Sequence, residues 1–313
     1  MSAIYQSLDE ALTLLSKISQ TKGEQFRTIA YERARVFPDD AGDHIRTKIK
    51  EYRKTGHIKE LDELLQNRNI IAAMDFNTIL GFGPVIINSL IAQGITSREQ
   101  IISTTQRGKL KLSRVQRLGL TYYEDLHKKI PRSNVRRASE NIFVAINIAI
   151  AQVIKQLHRD ISLYIDIAGS YRRGMPESND IDILVSVTKK LPDDVAQYMK
   201  DHFLYMIHSV MKNRDDFIDF IVIGKQKYSF LFFFEWVMHI DIIYAPYESY
   251  YPALLYFTGS QRFNIWMREF CKKNGFTLNQ NRLEKNGVAI EVNCEEDIFK
   301  AIGTNYVAPT LRV

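Results

Sequence analysis

Cysteine is scarce: Cys271 and Cys294 are the two thiols in 313 residues. Two cysteines cannot make a disulfide framework, nor a zinc site by themselves. They read as free thiols of an intracellular, reducing compartment, with a nucleus or a viral or cytoplasmic replication site as the expected locations. No leader is expected either. The opening MSAIYQSLDEALTLL has no basic segment followed by an apolar run, so no signal peptide is expected. Long apolar runs are missing. The most apolar stretch, Ile142 to Ile154, contains Asn147 and Gln152 and is too short to cross a bilayer, so no membrane partner is expected. No internal repeat or low-complexity segment is visible.

What is present is an ordinary globular composition, 45% hydrophobic and 25% charged, long enough for two or more domains. The charge is unevenly placed. Residues 1–137 hold 23 Lys+Arg against 15 Asp+Glu, and the remainder holds 19 against 21. A basic front part points to a polyanion, and the more acidic remainder suits a cation-binding site.

The chain is organised around Gly169 to Asp182, GSYRRGMPESNDID. An apolar strand, Tyr164 to Ala168, leads into a glycine turn and then a second strand, Ile181 to Val187. Asp180 and Asp182, two apart, share a face if the strand begins there. Such a pair suits a hard, oxygen-seeking cation. Gly169-Ser170 and the Arg172-Arg173 pair offer close backbone approach, a hydroxyl and guanidinium forks, which suit a polyphosphate. Asp241, inside the apolar run Met238 to Ile243, is the candidate third carboxylate. Three such aspartates can hold two divalent ions about 3.5–4 Å apart.

Ahead of this motif the spacing predicts four or five short helices over residues 1–69, with Pro38 closing the second. Asp39 to Gly42 reads as a turn. Lys48 lies beside the apolar stripe Ile45, Ile49, Tyr52. It is either a lysine snorkelling on a solvated face or a desolvated, nucleophilic amine. Gly81-Phe82-Gly83-Pro84 precedes an apolar helix, Val85 to Ala92. Free N–H groups there can hold a DNA phosphate, as in a helix-hairpin-helix, although any tight helix–helix turn reads the same. The basic run Arg107 to Arg117 reads as a solvated face.

Further on, Ile142 to Leu157 reads as a buried helix, and Val195 to Val210 as another. Phe217 to Ile223, Tyr228 to Phe234 and Val237 to Tyr244 are strongly β-forming. Together with the motif strands they predict a mostly antiparallel sheet with helices on one face, an α+β fold. Gly259-Ser260 then opens a helix on which Asn264 and Arg268 share a face, placed to meet base edges.

With GSYRRG…DID, Ile240-Asp241-Ile242 and LYFTGSQRFNIWMR in view, the chain resembles the family X DNA polymerases of the β type, nearly end to end. The resemblance implies a helical lyase-like domain at 1–69, a helix-hairpin-helix subdomain at 70–132, a nucleotidyltransferase palm at 133–246 and a nucleotide-selecting subdomain at 247–313. It implies two Mg2+ ions on Asp180, Asp182 and Asp241, with Mn2+ as substitute, and a monovalent cation at the hairpin of Gly81 and Gly83. Asp241 is then the base beside the primer 3′-hydroxyl. Ser170, Arg173, Arg132, Gly174 and Asn179 take the triphosphate, and Tyr256, Phe257, Gly259, Gln261 and Asn264 line the nucleoside pocket. Arg268 meets the template. Lys48 is the Schiff-base lysine of a 5′-deoxyribose-phosphate lyase, with Lys22, Phe26 and His44 around a 5′-phosphate. The partners implied are dNTPs and gapped or nicked duplex DNA, bound by a monomer of low processivity. A template-independent nucleotidyltransferase and a non-catalytic end-bridging protein are the alternatives.

Several positions depart from the family pattern. Asp40 replaces the first glycine of the first hairpin, and His44 stands where a lysine is usual. Asn179 replaces a phosphate-contacting glycine, while Gln261 and Ile265 replace an aspartate and a lysine. The arginine that switches partners on closure, and its Glu-Tyr alternatives, read Ile243, Gln280 and Asn281. Low fidelity is the expectation from that loss.

Overall fold

The computed structural model describes residues 5–312. Val313 and the first four residues of the segment read for a leader lie outside the described residues. The chain forms two compact units, 1–123 and 124–313.

The first unit is helical: α1 (Leu8–Thr21), α2 (Gln25–Val36), α3 (Asp43–Thr55), α4 (Lys59–Leu64), α5 (Arg68–Phe76), α6 (Pro84–Ala92), α7 (Arg98–Gln106) and α8 (Arg114–Thr121). Helix α1 starts at Ser7, whose side chain accepts the Glu10 N–H, and buries Leu12, Leu15 and Ile18. Pro38 ends α2 as expected, but Pro38–Asp40 winds into a 3-10 turn rather than an open one. Helices α1 to α4 enclose one core around Leu12, Tyr31, Ile49, Ile58 and Leu61. A second core, with Phe76, Ile79, Phe82, Ile87 and Leu90, lies under α5 to α7. There Gly81, at φ +83°, lies so close to α8 that a Cβ would sit 2.9 Å from Val115 Cγ1. The hairpin is thereby pressed onto that helix.

In the second unit a five-stranded sheet has the order β2-β4-β7-β6-β5: β2 (Leu163–Ile167), β4 (Ile181–Val187), β7 (Trp236–Tyr244), β6 (Lys227–Phe234) and β5 (Phe217–Ile223). All neighbours are antiparallel except β4 and β7. After α9 (Tyr123–His127), a short ladder of β1 (Ile130–Pro131) with β3 (Glu177–Ser178) precedes β4. The α+β class is as expected, with three local corrections. Helix α10 runs from Arg132 to Leu157, starting well before Ile142. It is long and apolar enough to cross a membrane by composition, but its buried stripe, from Val135 and Ala138 to Ala149 and Val153, packs on the sheet beside α12 (Asp193–Met211). The glycine turn is instead a four-residue helix, α11 (Gly169–Arg172). Nor are helices confined to one face. Tyr250, Ala253 and Leu254 of α13 (Tyr250–Thr258) pack on Leu184 and Ile243 from the other side.

The chain ends in α14 (Gln261–Lys273), a three-stranded sheet of β8 (Phe276–Leu278), β9 (Leu283–Lys285) and β10 (Val288–Ile290), and α15 (Glu295–Ile302). Leu255, Phe263, Met267, Cys271, Ile298 and Phe299 form their core.

Candidate active site

Side chains alternate along a strand, and β4 and β7 run parallel with Asp182 directly beside Asp241. Ile181, Ile183, Ile240 and Ile242 therefore face α10 and α12, while the two aspartates face the other way. Asp180 sits one step ahead of β4. Burial pushes the Asp182 carboxyl up to about 7, and the charges of Asp180 and Asp241 add to it. Asp180 is raised for the same leading reason, with His239 opposing and Asp241 reinforcing. Burial acts against the charge of Asp241 as well, but His239 and Lys227 overcome it and hold that carboxyl well below the usual range.

The pairing of β6 with β7 brings further groups to Asp241. Lys227 Nζ donates to Asp241 Oδ2 at 2.7 Å. His239 Nε2 lies 3.3 Å from Oδ1 but makes its hydrogen bond with Ser229 Oγ, at 2.7 Å. Asp241 Oδ1 is thus buried without a hydrogen-bond partner. Among the described residues the three carboxylates do not close into a finished cage of metal ligands. Their chemistry nevertheless fits divalent cations: hard oxygens, two carboxyls raised chiefly by burial with neighbouring carboxylates adding to it, and one oxygen left without a donor. Gly169 supports this packing. A Cβ there would lie 2.3 Å from Asp182 Oδ2, so a side chain at 169 would displace the carboxylate.

The expected phosphate groups gather beside it. Helix α11 presents Ser170, whose Oγ donates to Ser178 Oγ at 2.7 Å. Arg173 NH1 donates to Thr258 O at 2.6 Å and borders Gly259. Burial lowers the Arg173 pKa, against the pull of Asp182 and Asp180. The β1–β3 ladder brings in Arg132, which stacks 3.8 Å over the Tyr171 ring and donates to Tyr171 O. Asn179 accepts from Lys129 Nζ at 2.6 Å, another neighbour the sequence did not reveal. Gly174, at φ +80°, turns the loop after α11.

One expectation fails. Arg172 is not a phosphate fork. It is committed to buried Glu295, at 2.6 and 3.1 Å, and to Thr258 Oγ1 at 2.8 Å. Arg312, fully buried, donates to the same glutamate at 2.8 Å.

On the far side of Arg173, Tyr256 and Phe257 are half-buried with ring centroids 5.0 Å apart. Asn264 Nδ2 donates to Tyr256 O at 2.8 Å, and the Arg268 guanidinium lies 5.0 Å from the Tyr256 ring centroid. Gln261 is exposed at the first turn of α14, capped by Ser260. Ile243, at the position where the resemblance places a switching arginine, packs with Leu184 and Leu254. Gln280 and Asn281 lie between β8 and β9.

In the first unit Lys48 is not on a solvated face. Its side chain is 7% exposed and its ammonium pairs with Glu60. His44, Lys22 and Phe26 are exposed. Gly83 caps the N-terminus of α6 without a side-chain cap bond, and the first-turn N–H groups of a helix have no partner within it, as a phosphate site requires.

Comparisons with known proteins agree with this geometry. Residues 74–127 match the fingers domain of DNA polymerase lambda, 129–233 the DNA polymerase beta palm and 253–313 the DNA polymerase beta thumb. The chain is 26% identical to DNA polymerase lambda of Rattus norvegicus, over 97% of this chain and 56% of that protein. It is 22% identical to DNA nucleotidylexotransferase of Xenopus laevis, over 86% of this chain and 57% of that protein. The corresponding enzyme of Ambystoma mexicanum is 24% identical over 87% of this chain and 58% of that protein. The chain thus spans about half the length of the curated relatives it matches. With fingers, palm and thumb matched in order and the paired aspartates in register, the chain belongs to the family X DNA polymerases.

Proposed function

We propose that the protein is a template-directed, gap-filling DNA polymerase that adds dNTPs to a primer 3′-hydroxyl. The observation that carries this reading is the register of Asp182 beside Asp241 on the sheet face opposite α10 and α12. Asp180, Asp182 and Asp241 are the residues that would hold two Mg2+ ions. Such ions supply activation of the attacking oxygen and neutralisation of the departing one. The chain's own residues do the rest. Asp241 is the acceptor for the 3′-hydroxyl proton. Arg173, Arg132 and Ser170 bind the triphosphate and orient it for in-line displacement. Tyr256 and Phe257 crowd the sugar and disfavour a 2′-hydroxyl. Asn264 contacts the incoming base and Arg268 the template strand. Gly83 and the α6 N-terminus bind a phosphate of the duplex. Loss of the arginine at 243 uncouples closure from correct pairing, and fidelity is low.

The testing experiment is dNTP addition on a one-nucleotide gap with the templating base varied. Addition that follows the template is expected. Equal extension of single strands without template would replace this reading by terminal transfer, the activity named in the DNA nucleotidylexotransferases. Asp182→Ala is expected to abolish addition and spare DNA binding, and unimpaired synthesis would remove the mechanism.

The first unit carries a second activity in this reading, a 5′-deoxyribose-phosphate lyase with Lys48 as nucleophile. Its burial against Glu60 supports that role over a solvated one. Lys48→Ala is expected to prevent borohydride trapping on an incised abasic site. Undiminished trapping would move the nucleophile elsewhere.

A further inference from the structure

Lys48 and Glu60 form a pair with unequal access to solvent. The lysine side chain is 7% exposed and the glutamate side chain 45%. Ile45 and Ile49 are buried on either side of the lysine in α3, while Glu60 sits in the first turn of α4. Among the described residues Glu60 is the carboxylate that meets the Lys48 ammonium. The acid is thus the more accessible member of the pair. A Schiff-base lyase needs more than a nucleophile, because a base must take a carbon-bound hydrogen before the strand is released.

We propose that Glu60 is that base, an inference that rests on the lyase reading of Lys48. The Lys48 ammonium loses a proton to water, the free amine adds to C1′ of the ring-opened sugar, and the resulting hydroxyl takes a proton back and departs as water, leaving a C1′=N iminium. Its positive charge acidifies the C2′ hydrogen. Glu60 takes that hydrogen as a proton, and the C2′–H electron pair becomes the C2′=C3′ double bond. The C3′–O bond breaks, and its electron pair leaves with the 5′-phosphate of the downstream strand. Water then hydrolyses the unsaturated iminium and frees Lys48. C2′ is two bonds from Nζ, so a carboxylate already hydrogen-bonded to Nζ reaches its hydrogen without moving either helix. In the same position Glu60 faces the iminium charge while it lasts.

The experiment uses the full chain on an incised abasic duplex and measures adduct trapped by borohydride and strand release separately. Wild type, Glu60→Gln, Glu60→Asp and Glu60→Gly are compared, the last with and without formate. In Glu60→Gln the release rate per adduct is expected to fall roughly 10²-fold, the scale of a positioned base. Glu60→Asp retains most of it, and formate restores release to Glu60→Gly. Unchanged release per adduct in Glu60→Gln overturns the assignment and leaves the lyase intact. Adduct and release falling together, without rescue by formate, also overturn it and make Glu60 a group that only positions the amine. Absence of adduct in wild type removes the lyase reading itself, a result distinct from the other two.

Discussion

Asp182 is held where a carboxylate is costly. Burial and the neighbouring Asp180 and Asp241 raise its pKa to about 7, whereas an aspartate in an unfolded chain titrates near its ordinary value, about 3.9. A raised acid favours the folded state fully below about pH 4, and that contribution is lost as pH rises through about 7. Asp182→Asn is therefore expected to be more stable than wild type at pH 8 in chelator, by up to roughly 4 kcal/mol. The gap closes toward pH 4, and added Mg2+ narrows it at pH 8 by favouring the wild-type carboxylates. Calorimetry across that range checks it; a gap independent of pH contradicts the cause given. Lys227 acts on the same cluster with the opposite charge. It is half-exposed, so its pairing with Asp241 is worth about 1 kcal/mol at most. Lys227→Ala is expected to tighten Mn2+ binding, read by electron paramagnetic resonance, about fivefold. Weaker binding would show that the lysine organises the site rather than competing for it. The aspartates were legible as a pattern within a strand. Lys227 and Ser229 were not, because they meet Asp241 only through the pairing of β6 with β7, whereas His239, two residues before Asp241 on β7 itself, has the spacing that links Asp180 to Asp182.

At the scale of elements, strands rich in β-branched and aromatic residues declared themselves, and β5, β6 and β7 formed close to where composition placed them. The first turns of α10 did not, since Arg132, Ser133, Asn134, Arg136 and Arg137 give a polar stretch in which Val135 is the single apolar residue. Four residues of α11 are too few to show any period, and the run GSYRR reads equally well as a turn. That short helix still decides the site, because its first residue abuts Asp182. Gly169 has φ +55°, and an added Cβ would meet Asp182 Oδ2 at 2.3 Å. Gly169→Ala is expected to lower nucleotide addition by about 10²-fold, the scale of an ångström's misplacement of a reacting group. Single-turnover insertion measures it. A variant with wild-type insertion would mean that Asp182 tolerates displacement and that the metal geometry is looser than described.

Across the whole molecule the basic front half was visible in composition, but the device that fastens the C-terminal segment was not. Glu295 begins α15, and Arg172 comes from α11, more than a hundred residues earlier; Arg312 follows the last turn of the chain. No local spacing links three such positions. Burial works against the Glu295 charge, but the two arginines outweigh it and hold the carboxyl below its usual range. Its contribution to stability is thus present at neutral pH and lost as pH falls below the ordinary glutamate range toward the lower folded value. Glu295→Gln leaves two guanidinium groups without their acid, one of them fully buried, a change worth about 3–5 kcal/mol. The two units have separate apolar cores, so this loss belongs to residues 124–313 alone. Calorimetry is expected to show two transitions, with the one from residues 124–313 lowered by roughly 10 °C in Glu295→Gln and the other unmoved. The difference from wild type shrinks in acid, where the native glutamate also loses its charge. A single transition that shifts as a whole would mean that the units unfold together and that Glu295 secures both.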